Sequence, residues 1–387
     1  MREHNESLWT ELKEWRHHLH AHPEFGFEEA KTAEFVAGKL RGFGITDIAE
    51  KVGGTGVVAT IRKGSGNRSI ALRADMDALR IAESSLLPYR SRNAGVMHAC
   101  GHDGHTTMLL GAAKILAEEG GFDGAVRLIF QPAEEWGQGA LAMLGDGLMA
   151  RFPFDEIYGL HNMPGLPVGR FETRIGSVMA AEDIFEITLT GLGGHAARPH
   201  QTNEVLIAAC ALVTNLQTIV SRRLDPAESA VVSVTELITD GTRNALPGKA
   251  TIRGDARSMK PDVSAEIERQ MRLITDGTAL TYSCSATVDY RREFIPLVNT
   301  EAETMAAVMA AQSVFGPSAV NADGKPITAS EDFAQFLRHA PGCFAFIGNG
   351  EDSMPLHNAS YDFNDAALLD GVDYFVALAR TRLAIGR

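Results

Sequence analysis

The chain has 387 residues, and 36 lysines and arginines against 49 aspartates and glutamates leave a formal charge of −13. With 45% hydrophobic and 22% charged residues it is neither disordered nor fibrous, and it is long enough for two or three domains. Its acidity argues against nucleic acid or an anionic membrane as the main partner, since both select basic surfaces, and leaves small molecules as the expected ligands.

The charged opening lacks the apolar core of a secretory signal, and no apolar run reaches membrane-spanning length, so a cytoplasmic protein without a membrane partner is expected. Cys100, Cys210, Cys284 and Cys343 are scattered without a Cys-x-x-Cys pair, which predicts reduced thiols. Ser7 can cap a first helix that runs to about His20 and is ended by Pro23. A second amphipathic helix spans 27–40 and stops at Gly42 and Gly44. Strands over 55–61, 69–74, 125–130 and 156–160 then alternate with helices over 104–119 and 140–149, the pattern of an α/β layer with a mostly parallel sheet.

From about residue 180 the rhythm changes. Strand 182–190, helix 203–223, strands 230–238 and 249–257, helix 261–275 with Gly277 past its end, and strand 279–289 give the order βαββαβ, the ferredoxin-like plan. After Pro296 the first style returns with a helix over 301–314, a short helix near 331–337, a strand over 343–347 and a last helix over 365–383. The expected organisation is therefore an α/β domain formed by 1–179 and 292–387, interrupted by an inserted α+β domain over 180–291.

Five polar segments follow predicted strands or loops of the α/β part: Arg73-Ala74-Asp75-Met76-Asp77, His98 to His105, Gln131-Pro132-Ala133-Glu134-Glu135, Leu160-His161-Asn162 and Pro355-Leu356-His357-Asn358. In open α/β sheets the functional crevice lies beyond the carboxyl ends of the strands, so segments remote in sequence can converge there. Cys100 and His102 flank Gly101, a spacing that lets thiolate and imidazole address one ion, although a buried free cysteine beside a surface histidine gives the same pattern. Adjacent Glu134 and Glu135 diverge, so one can ligate while the other handles a proton; two glutamates at a solvated helix start are the plainer reading. With His161 and His357 these residues offer N, O and S donors suited to one or two transition metals. His195, in a glycine-rich turn, could reach a substrate oxyanion or simply be exposed, and Asn244 and Arg257 are equally open. The run His17 to His22 spreads its histidines over more than one helix face and reads as structural.

Taken together and in order, Arg16 to Glu24, Ala71 to Asp77, Met97 to His105, Gln131 to Glu135, Gly159 to Pro164 and Leu356 to Asn358 resemble the metal-dependent amidohydrolases, the family of hippurate hydrolases, N-acyl-amino-acid deacylases and auxin-conjugate hydrolases related to aminoacylase and carboxypeptidase G. The resemblance implies metal-dependent hydrolysis of the amide bond of an N-acyl amino acid, with two divalent ions (manganese, zinc, cobalt or nickel) per subunit. It implies Cys100 as a thiolate shared by both ions, with His102, Glu135, His161 and His357 as further ligands, and Glu134 as general base. Where related peptidases carry His-x-Asp, this chain has Arg73-Ala74-Asp75, which leaves Asp75 as an orienting residue behind the ligands. The resemblance further implies that the inserted domain is a lid and the dimerisation element of a homodimer. His195 would reach the other subunit's site, and Asn244 and Arg257 would contact the substrate carboxylate. Two rivals remain: a metal-free Cys-His hydrolase with Cys100 as nucleophile and His102 or His98 as base, and a catalytically silent relative that only binds.

Overall fold

The computed structural model describes residues 2–386. It divides into two compact units, one made of the chain up to Val178, Val298–Lys325 and the chain from Asp332, the other of Met179–Leu297 and Pro326–Glu331. The second unit runs past residue 291 because the strand Ser285–Phe294 completes its sheet. It also takes in Pro326–Glu331, where Ala329 O accepts from the Ala180 N–H at 2.9 Å.

The first unit is built on an eight-stranded sheet in the order Asp47–Val52, Gly56–Lys63, Gly124–Gln131, Ser69–Asp75, Glu156–Pro164, Gly342–Gly350, Phe171–Glu172 and Val320–Asn321. The four strands from Gly124–Gln131 to Gly342–Gly350 are mutually parallel. All seven residues of Ser69–Asp75 are buried, as a run covered on both faces requires. The helices Arg2–Ala21, Ala30–Gly42, His102–Glu119, Glu301–Phe315 and Leu368–Arg382 supply the cover, with Leu12, Val36, Leu109, Ala307 and Val372 among the fully buried apolar residues.

Several local expectations need correction. The first helix begins at Arg2, so Ser7 lies inside it and caps nothing. The edge strand Asp47–Val52 escaped the sequence reading because only Val52 of its six residues is buried, and a strand without an inward apolar set carries no periodic signal. The helix Pro261–Thr281 runs through Gly277, where an added Cβ would meet open space; a solvent-facing glycine costs a helix only about 1 kcal/mol. The expected helix 203–223 is an α-helix over Val205–Leu216 followed by a π-turn over Ile219–Arg223.

The second unit places the strands Ala230–Thr239, Lys249–Ser258, Ala181–Thr190 and Ser285–Phe294 side by side in that order, all antiparallel. Alternate residues Phe185, Ile187 and Leu189 turn inward to join Leu212, Ile267 and Met271 of the helices Val205–Leu216 and Pro261–Thr281 in one core.

A buried charge network fastens the first helix to the rest of the first unit. Arg16 is wholly buried; its Nη1 meets Asp362 Oδ1 at 2.8 Å and Asp103 Oδ2 at 3.6 Å, and its Nε meets Asp365 Oδ1 at 2.7 Å. His20 Nδ1 lies 2.8 Å from Asp103 Oδ2. Burial works against a charged His20, but Asp103 and Glu83 outweigh it and push the ring up to about 9. Replacing Arg16 by methionine leaves three carboxylates facing one another, so Arg16→Met is expected to lower the unfolding free energy by about 3–5 kcal/mol. Urea unfolding of the full chain measures it, and a loss under about 1 kcal/mol would show that the cluster does not depend on its cation.

Candidate metal centre

The carboxyl ends of the parallel strands bring five remote segments to one place. The strand Ser69–Asp75 delivers Asp75 and leads on to Asp77, Gly124–Gln131 leads into the one-turn helix Glu134–Trp136, and Glu156–Pro164 carries His161 and Asn162 near its end. The helix His102–Glu119 starts from Gly101, whose φ of 98° is left-handed and whose added Cβ would fall 2.2 Å from Asn162 Oδ1. Only glycine allows the chain to turn there with Cys100 on one side and His102 on the other. His357 also holds a left-handed φ, 63°, and its N–H donates to Ala99 O at 2.7 Å, which ties its loop to the residue before Cys100.

Two overlapping triads result. Cys100, His102 and His161 have ligand atoms within 4.8 Å of one another, and so do Cys100, Glu135 and His357. Cys100 belongs to both, and a third group of the same tightness joins His102, Glu134 and Glu135. Each ring is held from behind. The His102 Nδ1–H donates to Asp77 Oδ1 at 3.1 Å, and the His161 Nδ1–H donates to Asn162 O at 2.7 Å, which leaves both Nε2 atoms as the ones available to an ion. His161 Nε2 lies 3.5 Å from Cys100 Sγ, and His357 Nε2 lies 3.4 Å from Glu135 Oε1.

The donors fit a cation. His102 Nε2 and Glu135 Oε1 are buried and have no hydrogen-bond partner, although they are 3.9 Å apart. Burial opposes a charged His102, but Asp75, Asp77 and Glu135 outweigh it and push it up to about 10, so this position is built to hold positive charge. Burial, with Glu135, Glu134 and Asp75 nearby, pushes the Cys100 thiol well up; a thiolate here requires a cation beside it. Burial and the His105 ring push His161 well down, which keeps it neutral as a ligand must be. Burial would raise Glu135, yet His357 and His102 hold it below the usual carboxylate range.

The structure brings Cys100, His102, Glu134, Glu135, His161 and His357 together, as the sequence suggested. Asp75 is buried behind them, but its firm partners are His105 Nδ1 at 2.6 Å and Arg73 Nη1 at 2.8 Å; the carboxylate that orients His102 is Asp77. Asp77 and His105 were missed, although Asp-x-Asp beyond a buried strand was a usable signal. In the second unit, Ala245 pairs with His195 in a two-stranded ribbon and Asn244 O accepts from the Ala196 N–H at 3.0 Å, so Asn244 and His195 are neighbours. Arg257 is not near them: about 26 Å of strand separates it from Lys249, beside the ribbon. Its guanidinium meets Asp255 at 2.9 Å, Glu182 at 2.9 Å and Ser330 Oγ at 2.6 Å.

The sequence pattern of peptidase family M20/M25/M40 matches residues 71–381. The hippurate hydrolase of Campylobacter jejuni is 40% identical over 372 residues, which cover 96% of each chain. The N-acetyl-L-cysteine deacetylase of Bacillus subtilis is 39% identical over 373 residues, 95% of this chain and 87% of that one. A solved dinuclear metal binding peptidase of the same family from Bacillus subtilis superimposes with a TM-score of 0.87 at 31% identity, covering 98% of this chain and 99% of that one. The chain belongs to peptidase family M20/M25/M40 and is a metal-dependent amidohydrolase.

Because Asp77 fixes the tautomer and direction of His102, Asp77→Ala is expected to weaken divalent-metal affinity about 10- to 100-fold while the fold persists. Competition against a chromophoric chelator reads it, and an unchanged affinity would remove Asp77 from the centre.

Proposed function

We propose that this member of peptidase family M20/M25/M40 hydrolyses the amide bond of an N-acyl amino acid of the hippurate, N-acetyl or indole-acetyl kind, releasing a carboxylic acid and a free amino acid. The observation that carries the reading is the pair of triads that share Cys100 and have Glu134 at their edge. Two divalent ions, manganese, zinc, cobalt or nickel, would be held by Cys100, His102 and His161 and by Cys100, Glu135 and His357, and when bound supply Lewis-acid polarisation of the scissile carbonyl and of water.

The chain's own residues do the rest. Glu134 takes a proton from the attacking water and delivers it to the leaving nitrogen, while its neighbour Glu135 is committed to ligation. His195 Nδ1 accepts the Ala197 N–H at 3.1 Å, so the neutral ring carries its proton on Nε2, a donor suited to the oxyanion. Asn244, exposed beside His195, takes the substrate carboxylate; Arg257 is left to its own carboxylate partners.

We read the second unit as a ferredoxin-like lid that also forms a homodimer, each protomer's His195 serving the active site of the other. The sheet order and the exposed apolar side chains Val231, Leu237 and Ile238 on its edge strand, with Leu206 and Ile207 on the helix, support that reading. We place the enzyme in the cytoplasm, in keeping with four free thiols; among the described residues no helix is long and apolar enough to cross a membrane. Cys100 and His102 have ligand atoms within 4.8 Å of each other, close enough for the rival Cys-His dyad, but burial and the carboxylates around the thiol oppose the thiolate that a nucleophile needs.

Apo protein supplied with Mn²⁺ or Zn²⁺ is expected to cleave at least one of N-benzoylglycine, N-acetyl amino acids and indole-acetyl-aspartate. Glu134→Gln is expected to keep its metal and lose about 10²- to 10⁴-fold in kcat; an unchanged kcat would sink its role in proton transfer. Glu134→Gln and His195→Ala subunits, each inactive alone, should regain about a quarter of wild-type activity when reassembled together, because one site in each hybrid dimer is complete. No recovery would place His195 in its own subunit's site or outside catalysis.

A further inference from the structure

Beside the ligand cluster stands a group of aromatic side chains that neither the core nor the proton chemistry uses. Trp136 closes the one-turn helix Glu134–Trp136, and 48% of it is exposed, an unusual position for one of the chain's three tryptophans. Its ring meets Phe25 at 5.1 Å, near edge-on, and the Arg80 guanidinium lies 4.1 Å from the Phe25 centroid. Gly26 lets the two loops touch, since an added Cβ there would come within 3.1 Å of Trp136 Cδ1. Phe27 follows with a left-handed φ of 64°, a conformation that a non-glycine residue holds only when its surroundings impose it.

Both supports of this group are continuous with the metal centre. Phe25 bridges to Ala78, the residue after Asp77, and the Ala78 N–H donates to Glu24 O at 2.8 Å. Trp136 follows Glu135 directly, so bond lengths alone keep its ring within about 12 Å of the Glu135 carboxylate. A scissile carbonyl at the ligand cluster therefore has an exposed, braced indole within about 12 Å of a neighbouring ligand, and a long acyl group extends further toward it than a short one. The methyl of an acetyl group ends one bond past the carbonyl carbon; an aryl ring extends several bonds and offers a face or edge to the indole.

We propose that Trp136, braced by Phe25 and Arg80, is the platform for the acyl group and selects aryl over small alkyl acyl chains. This inference rests on the N-acyl-amino-acid reading and goes beyond it by naming the acyl class and the residue that chooses it. The side chain touches the part of the substrate that does not react, so it acts on specificity rather than on the proton steps.

Two readouts test it. In the metal-loaded enzyme, the ratio of kcat/KM for N-benzoylglycine to that for N-acetylglycine is expected to fall about tenfold in Trp136→Ala and to be largely kept in Trp136→Phe. In binding, N-benzoylglycine is expected to quench the protein's tryptophan fluorescence where N-acetylglycine does not, and Trp136→Phe, which leaves Trp9 and Trp15, to abolish the quench. Equal losses on both substrates, or a quench that survives in Trp136→Phe, would overturn the proposal. If none of N-benzoylglycine, N-acetyl amino acids and indole-acetyl-aspartate is cleaved but the Trp136-dependent quench by N-benzoylglycine is present, the platform stands and the hydrolysis reading falls. If both are cleaved and Trp136→Ala lowers them equally, the hydrolysis reading stands and the platform falls.

Discussion

Crowding of acidic groups away from water is the constraint on which the first unit depends. Asp75, Asp77, Glu134, Asp332 and the Cys100 thiol are buried at the carboxyl ends of the parallel strands, with Glu135 nearly so. Like charges about 4 Å apart repel by about 4 kcal/mol at an effective dielectric of about 20, a large fraction of a protein's net stability for each pair. The chain answers part of this with Arg73 and with hydrogen bonds. Arg73 lies wholly buried with its Nη1 on Asp75 Oδ2 at 2.8 Å and its Nη2 on Asp332 Oδ1 at 3.2 Å, and His105 sits 2.6 Å from Asp75 Oδ1. Around Cys100, Glu134 and Glu135 a divalent cation would balance several charges at once.

Precise placement follows from rigid supports on either side of one helix start. His102 faces inward to Asp77, while Asp103, the next residue, faces His20 and Arg16, so consecutive residues of the helix His102–Glu119 are anchored in two separate charge networks. The acid in the first turn also suits the positive end of the helix. On the opposite strand the turn before Glu134 is held open by Ala133 at a φ of 48°, and the Glu29 carboxylate secures it by accepting the Ala133 N–H at 2.8 Å and the Thr55 hydroxyl at 2.6 Å. Glu29 is wholly buried, and that burial pushes its carboxyl up to about 7.

What could be read from the sequence follows from where the information is local. Donor types are local: Cys100 and His102 across a glycine, Glu134 and Glu135 after a buried strand, and His161 at a strand end can be read as donors from their own segments, and the structure brings these atoms close together. Strands with two covered faces were legible because their apolar runs are nearly continuous, while Asp47–Val52, an exposed edge, was not. Orienting partners are non-local. Nothing near Asp77 says that its carboxylate will lie behind His102, 25 residues on, and nothing near Arg73 announces Asp332, 259 residues away. The resemblance groups Asn244 with Arg257, and only the strand Lys249–Ser258, which carries Arg257 about 26 Å from Lys249, distinguishes one from the other.

The turn Glu134–Trp136 shows how three consecutive side chains can be sent to three different surroundings. In a 3₁₀ turn successive side chains point about 120° apart, so none of the three shares a direction with another. A strand, with its period of two, would have set residues 134 and 136 on the same side and forced the carboxylate and the aromatic ring into one space. An ordinary helix start would have left both carboxylates in solvent at the end of the turn. The left-handed Ala133 instead turns the chain sharply at the end of Gly124–Gln131, burying Glu134, committing Glu135 to Cys100 and His357, and leaving Trp136 at the surface against Phe25. One left-handed, buried alanine thus sends three consecutive side chains into three different surroundings within a single turn of chain.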